Sequence, residues 1–395
     1  MNNPGANKNL ALATIAFAVS FAVWGLISGL APLLTAELEL SATAASIMIA
    51  IPVLLGSVGR IPVGLITDRF GGRRVFSILL IFGIIPAAAL ALSDDYSAFL
   101  FWGFWLGLAG TSFAVGVGFV SRWFPPEKQG MALGVFGVGN VGQSVAVFFG
   151  PVLAREIGIS WTFLIFGAAS TIWGIVFAIW ARDAQRKAAP KTFQENIRVL
   201  RTEPLSWVLS LFYFLTFGGF VALGIYMPTL LKSIFGFSPE EAGARAAGFV
   251  VLATASRPVG GWLSDRIGGQ RLLVVVFVGI AVIAWLMALP TISLFTVGAL
   301  GSAALLGLGN GGVFKLVPQY FPLQTGTVTG LVGAAGGIGG FFPPIVMGVL
   351  RDLTGSYTFG FVFMGIFSLG CCWVLWQAII KGVGLGPPKE VRVET

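Results

Sequence analysis

The stretch RIPVGLITDRFGGRR (residues 60–74) is repeated in this chain: a second version of it, RPVGGWLSDRIGGQR, stands at residues 257–271. The two versions are 197 residues apart, about half of the 395 residues. The same displacement carries Trp123-Phe124-Pro125 onto Tyr320-Phe321-Pro322, so the duplication extends well beyond one loop. The chain is therefore predicted to contain two copies of one unit.

Composition places both copies in a membrane. Hydrophobic residues make up 56% of the chain and charged residues 10%, with a mean hydropathy of +0.91. A soluble domain carries roughly 25% charged residues. The two cysteines, Cys371 and Cys372, are adjacent in an apolar run, and there is no histidine. These features favour neither a disulfide framework nor a metal site. We expect no cofactor and no enzymatic activity.

Uncharged stretches predict an all-α membrane protein with twelve transmembrane helices in two six-helix repeats. Each stretch has about 20 residues or more, the length that crosses roughly 30 Å of hydrocarbon. A hydrophilic segment divides the chain into an N-terminal half (1–181), a linker (182–204) and a C-terminal half with a short tail (205–395). The predicted helices are 10–36, 44–67, 74–93, 97–122, 129–154, 157–181, 205–231, 243–264, 272–290, 292–318, 325–350 and 357–380.

Lysine and arginine set the expected orientation. Most of them fall on the side of the membrane that holds the linker and both termini, which the positive-inside rule assigns to the cytoplasm. The same distribution explains the pI near 9.8 without a nucleic-acid partner. The chain is thus predicted to be a multi-pass protein of the cell (inner) membrane, surrounded by the lipid bilayer.

Arg60 and Arg257 are the most informative residues. Each lies eight residues before the aspartate, Asp68 or Asp265, that marks the end of its helix. At 1.5 Å per residue this is ~12 Å into the membrane, near the middle of the core. All sixteen Asp and Glu residues fall at span ends, in loops or in the tails. Buried arginines without acidic partners favour an anion site over a structural role.

The other motifs allow two interpretations each. The charged loop after helices 2 and 8 is either a cytoplasmic latch between helix ends or a short turn with topology-setting charges. Glycines of helices 5 and 11 allow close packing or line a mobile interface. Asn140 is either a donor to substrate or part of an interhelical hydrogen bond. The latch candidates are Gly64, Asp68, Arg69, Arg74, Gly261, Asp265, Arg266 and Arg271, and the gating or packing glycines are Gly137, Gly139, Gly142, Gly333, Gly336 and Gly337.

Several of these motifs resemble those of known transporters. Twelve helices with GLITDRFGG and GWLSDRIGG loops are similar to the major facilitator superfamily, and FAVWGL, GRIPVG, SRWFPPEKQGMALGVFGVGNVGQS, FYFLTFGGF and GTVTGLVGAAGGIGGFFPP resemble the nitrate/nitrite porters within it. The resemblance implies alternating access, with nitrate or nitrite as substrate and its oxygens bound by Arg60 and Arg257. We expect the protein to function as a monomer. It further implies substrate contacts from Asn140, Tyr213, Phe21, Phe113 and Phe217.

Residue chemistry leaves the transport mode open between two cycles. Nitrate/nitrite exchange is favoured because no titratable acid lies within a span, and proton-coupled symport is the alternative. A porter of another small anion, such as formate or oxalate, and a nitrate-binding membrane receptor are further possibilities.

Overall fold

The computed structural model describes residues 5–124, 126–184, 203–289, 291–321 and 325–382. Most of the predicted linker, the end of the C-terminal tail and the side chain of Asp68 lie outside this description. Within it, every regular element is a helix. Eleven helical stretches are long and apolar enough to cross a membrane. The segment predicted as helix 8 is a twelfth helix of 29 residues, whose charges, including Arg257, make it less apolar.

The helices follow the predicted order, with breaks where glycines lie inside a span. A central break in α5 is a short 3₁₀ stretch that contains Asn140, and such stretches often mark hinges. The bounds are α1 Ala6–Trp24 and Leu26–Glu37, α2 Ala42–Val58 and Arg60–Phe70, α3 Gly72–Phe82 and Ile84–Ala91, α4 Tyr96–Leu106, Gly107–Thr111 and Ser112–Ser121, α5 Pro126–Gly137, Val138–Asn140 and Val141–Ile157, α6 Ile159–Trp180, α7 Pro204–Phe235, α8 Pro239–Ile267, α9 Gly269–Met287, α10 Ile292–Tyr320, α11 Thr325–Gly339 and Phe342–Thr354, and α12 Thr358–Leu375 with Trp376–Ile380.

The sequence repeat is visible in local geometry. Ser41 caps the start of α2 by accepting from the Ala44 N–H, and Ser238, 197 residues later, caps α8 in the same way. The turns of the two charged motifs both need a left-handed backbone, with φ of 91° at Gly71 and 88° at Gly268. Equivalent residues thus start and end equivalent helices.

Contacts between the N-terminal helices (residues 6–180) and the C-terminal helices (residues 204–380) concentrate on one side of the membrane. We call the side of the charged-motif turns (68–72 and 265–269) the motif face and the side of residues 38–41 and 236–238 the far face. Most of this contact is made by the far-face part of α5 against α8 and by the far-face part of α11 against α2. The bundle is therefore closed at its far face.

Polar links between the two groups of helices cross this closed region. Ser28 donates to the carbonyl of Ile225, a residue displaced from it by the repeat length of 197. Two positions related by a pseudo-twofold axis touch only where that axis passes between them, so the axis runs between α1 and α7 here. The further links are Thr43 N–H to Asp352 (2.8 Å), Ser46 Oγ to Tyr226 Oη (2.7 Å), Lys232 Nζ to the Pro32 carbonyl (2.6 Å) and Ser144 Oγ to the Ala247 carbonyl (3.3 Å).

Candidate functional site

Arg60 and Arg257 come together at one aromatic ring. The guanidinium carbon of Arg60 lies 5.6 Å from the ring centroid of Phe217, and that of Arg257 lies 5.1 Å from the same centroid. The negative faces of aromatic rings attract guanidinium groups and exclude water from them. Equal depth, which the repeat predicts, is therefore accompanied by a shared partner.

Arg60 is held between the two groups of helices. Its Nη1 donates to the carbonyl of Gly333 in α11 at 3.0 Å, and its guanidinium lies 5.4 Å from the ring of Phe113 in α4. The residue is 7% exposed, and its buried Nε has no hydrogen-bond partner within the described ranges. Part of its donor set is thus unused by protein.

Arg257 is supported by rings more than by hydrogen bonds. Its guanidinium lies 4.8 Å from the centroid of Phe220, in addition to Phe217. Its buried Nε and Nη2 have no partner in the described part of the chain. Neither arginine forms an ion pair with a carboxylate among those residues. An oxygen-bearing anion would supply the missing acceptors.

A stack of rings forms one wall of the site. Tyr213 lies parallel to Phe217 at an interplanar angle of 3° and a centroid distance of 5.0 Å, and Phe314 meets Tyr213 edge-on at 4.8 Å. The glycine at 336 makes this possible, because a Cβ there would lie 3.1 Å from Phe217 and overlap the Tyr213 ring. Flat walls of this kind suit a planar ligand.

Phe21 lies in a neighbouring cluster. Its ring contacts Phe17 at 4.3 Å and Trp24 at 4.9 Å. Phe17 in turn stacks on Phe136 at 4.7 Å and lies 5.7 Å from Phe113. The structure therefore connects Phe21 to the ring beside Arg60 through Phe17, which the sequence did not single out.

Asn140 is buried on the 3₁₀ stretch of α5. Its Nδ2 donates to the carbonyl of Gly137 in the same helix at 2.7 Å, and it is 1% exposed. Its Oδ1 has no partner among the described residues. Of the two predicted alternatives, the interhelical hydrogen bond is therefore not formed within the described chain, and the amide donor is used inside its own helix.

The glycines of α5 and α11 face different neighbours. Those at 139 and 142 pack on Phe17 and the Ala18 carbonyl of α1, within the N-terminal helices. Gly337 instead faces across to α2, where an added Cβ would lie 2.5 Å from Ser57 Oγ and 3.3 Å from Arg60 Nη1. Around Gly137 and Gly333 a Cβ would meet no described atom within 4 Å.

The charged motifs make local contacts on the motif face. Lys315 of α10 forms an ion pair with Asp265, and Arg266 lies 4.1 Å from the ring of Trp262. Arg69 lies 5.5 Å from the Phe70 ring, while Arg74 and Arg271 are exposed. Gly64 and Gly261 border open space in this structure. Through its ion pair, Asp265 connects the motif-face end of α8 to that of α10.

Comparisons with known proteins agree with this architecture. The chain matches the family model of the Major Facilitator Superfamily over residues 12–344 and again over 213–392. It is 37% identical over 377 residues to the "Nitrite extrusion protein" of Bacillus subtilis, covering 94% of this chain and 95% of the relative. It is 39% identical over 377 residues to the "Probable nitrate/nitrite transporter NarK2" of Mycobacterium tuberculosis, covering 93% and 95%. The chain belongs to the major facilitator superfamily and, within it, to the nitrate/nitrite porter family.

A solved structure supports the superfamily fold. The bacterial homolog of the human lysosomal transporter Spinster, in an inward-facing and unoccupied conformation, aligns with a TM-score of 0.76 at 18% identity, covering 96% of this chain and 98% of that one. At this identity the likeness concerns the fold alone. The prediction of an all-α major facilitator fold is confirmed. Membership of a transporter superfamily also agrees with the prediction that the chain is not an enzyme.

Proposed function

We propose that this protein carries nitrate and nitrite across the cell membrane by alternating access, exchanging one for the other at the site formed by Arg60 and Arg257. The observation that supports this most directly is the meeting of both guanidiniums at the Phe217 ring, with buried donor atoms left over. The names of the relatives, a nitrite extrusion protein and a probable nitrate/nitrite transporter, agree with it.

The chemistry of the two arginines matches the chemistry of these anions. Nitrate and nitrite are small, planar and singly charged, with the charge spread over their oxygens. A guanidinium offers planar, forked donors and keeps its charge at any working pH. The parallel pair Tyr213 and Phe217 adds a flat apolar wall. A more highly charged anion such as phosphate would require further donors.

Exchange follows from the electrostatics of the pair. Two positive charges held near one aromatic ring in a buried site repel each other strongly when no anion lies between them. Bound anion relieves this repulsion, so the protein reorients most readily when the site is occupied. A carrier that reorients only when occupied is an exchanger. Proton symport would need a titratable group within the spans, and all Asp and Glu residues fall outside the middle of the spans.

The proposed cycle includes an orientation and a division of the chain. The motif face, the linker and both termini lie in the cytoplasm by the positive-inside rule. Residues 1–181 and 205–395 act as two halves that rock about the arginine pair, joined by 182–204. Closure of the far face then corresponds to a protein that is accessible from the cytoplasm.

The test is transport by the purified protein in liposomes. Uptake of external nitrate into vesicles loaded with nitrite should be rapid and saturable, while vesicles without internal anion should take up little, even under an inward proton gradient. Robust uptake into the empty vesicles, abolished by a protonophore, would replace exchange with symport. If formate or oxalate competes with nitrate more strongly than nitrite does, the substrate is another small anion. If the protein binds nitrate but shows no flux, it is a receptor.

A further inference from the structure

Gln143 of α5 lies between the two groups of helices. The Gln143 side chain packs against Gly224 of α7: a Cβ on Gly224 would lie 2.9 Å from Gln143 Nε2. The same Cβ would lie 3.2 Å from Val250 of α8. On the other side, a Cβ on Gly25 of α1 would lie 3.3 Å from Gln143 Cγ. Two glycines on facing helices therefore make the space that this one amide fills.

The amide of Gln143 is fully buried and unpaired. Gln143 is 0% exposed, and neither Nε2 nor Oε1 has a hydrogen-bond partner within the residues that the structure describes. Buried side-chain amides almost always have partners, and each exception calls for an explanation. A leucine or methionine would fill the same space without this cost.

Residue intervals along α7 and α8 both indicate how far Gln143 lies from the arginine site. Gly224 is seven residues beyond Phe217 on α7, and Val250 is seven residues before Arg257 on α8. Both intervals correspond to ~10 Å along a helix, toward the far face. Gln143 thus lies inside the closed region, about 10 Å farther from the motif face than the guanidiniums.

A second unpaired group lies between Gln143 and the arginine site. Thr254 is one helical turn from Val250 and three residues before Arg257 on α8. It is 9% exposed, and its Oγ1 has no partner in the described chain. Donors are therefore spaced along the line that joins the far face to Arg257.

From this arrangement we infer that Gln143 is a second anion station, which binds nitrate or nitrite on the way between the far face and the arginine pair. When the halves separate at the far face, Nε2 of Gln143 becomes available to donate to an oxygen of the anion, and Thr254 is the next donor inward. The inference rests on the proposed function, since it assigns a place on the path of the same substrate.

A neutral amide suits a station better than a charged group. Transport requires that binding be favourable enough for entry and weak enough for departure. An arginine at this position would hold the anion about 10 Å short of the central site. An amide donates without a net charge, so the anion is attracted onward by the two guanidiniums.

The experiment measures half-saturation on each face separately. Proteoliposomes are sorted to one orientation by capture through a C-terminal tag, and nitrate/nitrite exchange is followed with the trans anion saturating. The near-isosteric Gln143→Met variant should raise the KM for nitrate at the far face by about tenfold and change the KM at the motif face by less than about twofold. Gln143→Asn, which keeps a shortened amide, should raise the far-face KM by about threefold.

Other outcomes overturn the inference. If Gln143→Met moves the two KM values in opposite directions, the residue only balances two conformations. If neither KM value changes, the Gln143 amide has no part in the path. Should the Gln143→Met variant not fold, the far-face KM of Gln143→Asn serves as the test. Ser264→Ala is the matched control, because Ser264 of α8 is 2% exposed with an unpaired Oγ among the described residues but lies on the motif-face side of Arg257. It should leave the far-face KM unchanged. Absence of exchange by the native protein would instead refute the proposed function.

Discussion

Arg60 and Arg257 occupy equivalent positions in the two repeats, yet their surroundings differ. Arg60 donates to a backbone carbonyl of α11 and so connects the two groups of helices, whereas Arg257 has two buried nitrogens without a partner in the described structure. Phe113 packs on Arg60, and the equivalent of Phe113 in the second repeat is Asn310. Duplication therefore sets the depth of the arginines, while divergence of their neighbours sets what each one does.

Because of this difference, the surroundings of the two arginines are asymmetric in the conformation closed at the far face. Arg257 has its donors ready for an anion. Arg60 uses one of its donors, Nη1, on the Gly333 carbonyl, and Gly337 lies close to the same guanidinium. Under the proposed function, Arg257 would be the main anchor of the anion in this conformation, and Arg60 would connect the anion to the movement of α11 against α2.

Replacing the arginines by lysine should impair binding more than any other change described below. Lysine keeps the charge but loses the planar fork, and two charge-assisted hydrogen bonds together contribute about 3 kcal/mol. Arg257→Lys should therefore weaken nitrate binding about 100-fold, as measured by titration of the purified protein. Arg60→Lys should weaken it about 10-fold, because one Arg60 nitrogen already donates to the Gly333 carbonyl. Equal losses would contradict the asymmetry, and near-normal affinity in both variants would remove the arginines from the site.

Alanine at Gly337 tests the connection made by Arg60. The new methyl group would lie 2.5 Å from Ser57 Oγ and 3.3 Å from Arg60 Nη1, so we expect a tenfold or greater loss of flux. Because the methyl group displaces side-chain atoms and not backbone, the melting temperature should fall only slightly. Gly142→Ala is the comparison, because its methyl group would clash with the Ala18 backbone inside the N-terminal helices. That variant should mainly lower the melting temperature, since overpacking costs about 1–3 kcal/mol. Normal flux in Gly337→Ala would show that the α2–α11 contact is not coupled to transport.

Asp352 holds α11 against α2 at the far face. Its carboxylate accepts from the Ala42 N–H at 3.2 Å and from the Thr43 N–H and hydroxyl, at the positive end of α2. Asp352→Asn should lose about 1 kcal/mol and shift the conformational balance about fivefold toward opening of this face. The measurement is the rate of maleimide labelling of Val147→Cys, a position buried in the closed region, with Cys371 and Cys372 replaced by serine.

Asp95→Asn is the control for this labelling experiment. Asp95 also caps a far-face helix, accepting from the Ala98 N–H at 2.9 Å, but it does so within the N-terminal helices. It should leave the labelling rate of the Val147→Cys protein unchanged. Equal acceleration by Asp95→Asn and Asp352→Asn would mean that cap loss, and not separation of α2 from α11, exposes the cysteine.

The smallest effect concerns the ion pair of Asp265 and Lys315. The second repeat has this pair and the first has Gly118 at the position equivalent to Lys315. Both side chains are about half exposed, at 59% and 44%, and exposed pairs contribute at most about 1 kcal/mol. Lys315→Met should lower the melting temperature slightly at low salt and less at high salt. A large, salt-independent loss would assign Lys315 another role.

The sequence predicted the parts of this protein that depend on periodicity and on charge. Long uncharged stretches predicted the helices, and the equal spacing of Arg60 and Arg257 from Asp68 and Asp265 predicted that the two arginines lie at the same level, where both approach the Phe217 ring. The Gly333 carbonyl could not have been predicted, because every residue has a backbone acceptor and only the tertiary contact selects one. Phe220 was missed for a related reason: with 35 Phe in the chain, ring type alone does not indicate which ring meets a guanidinium.

The bond from Ser28 to Ile225 bears on how firmly the far face is closed. A symmetric dimer of two units that both carried serine at this place could form this hydrogen bond twice, once in each direction. A symmetric dimer of two units that both carried isoleucine could not form it at all. The present chain forms it once, because only its first repeat carries serine at this place. Since a hydrogen bond contributes about 1 kcal/mol, losing one copy makes opening roughly fivefold easier. A chain of two unlike repeats can thus close its far face with a strength between those of the two symmetric homodimers.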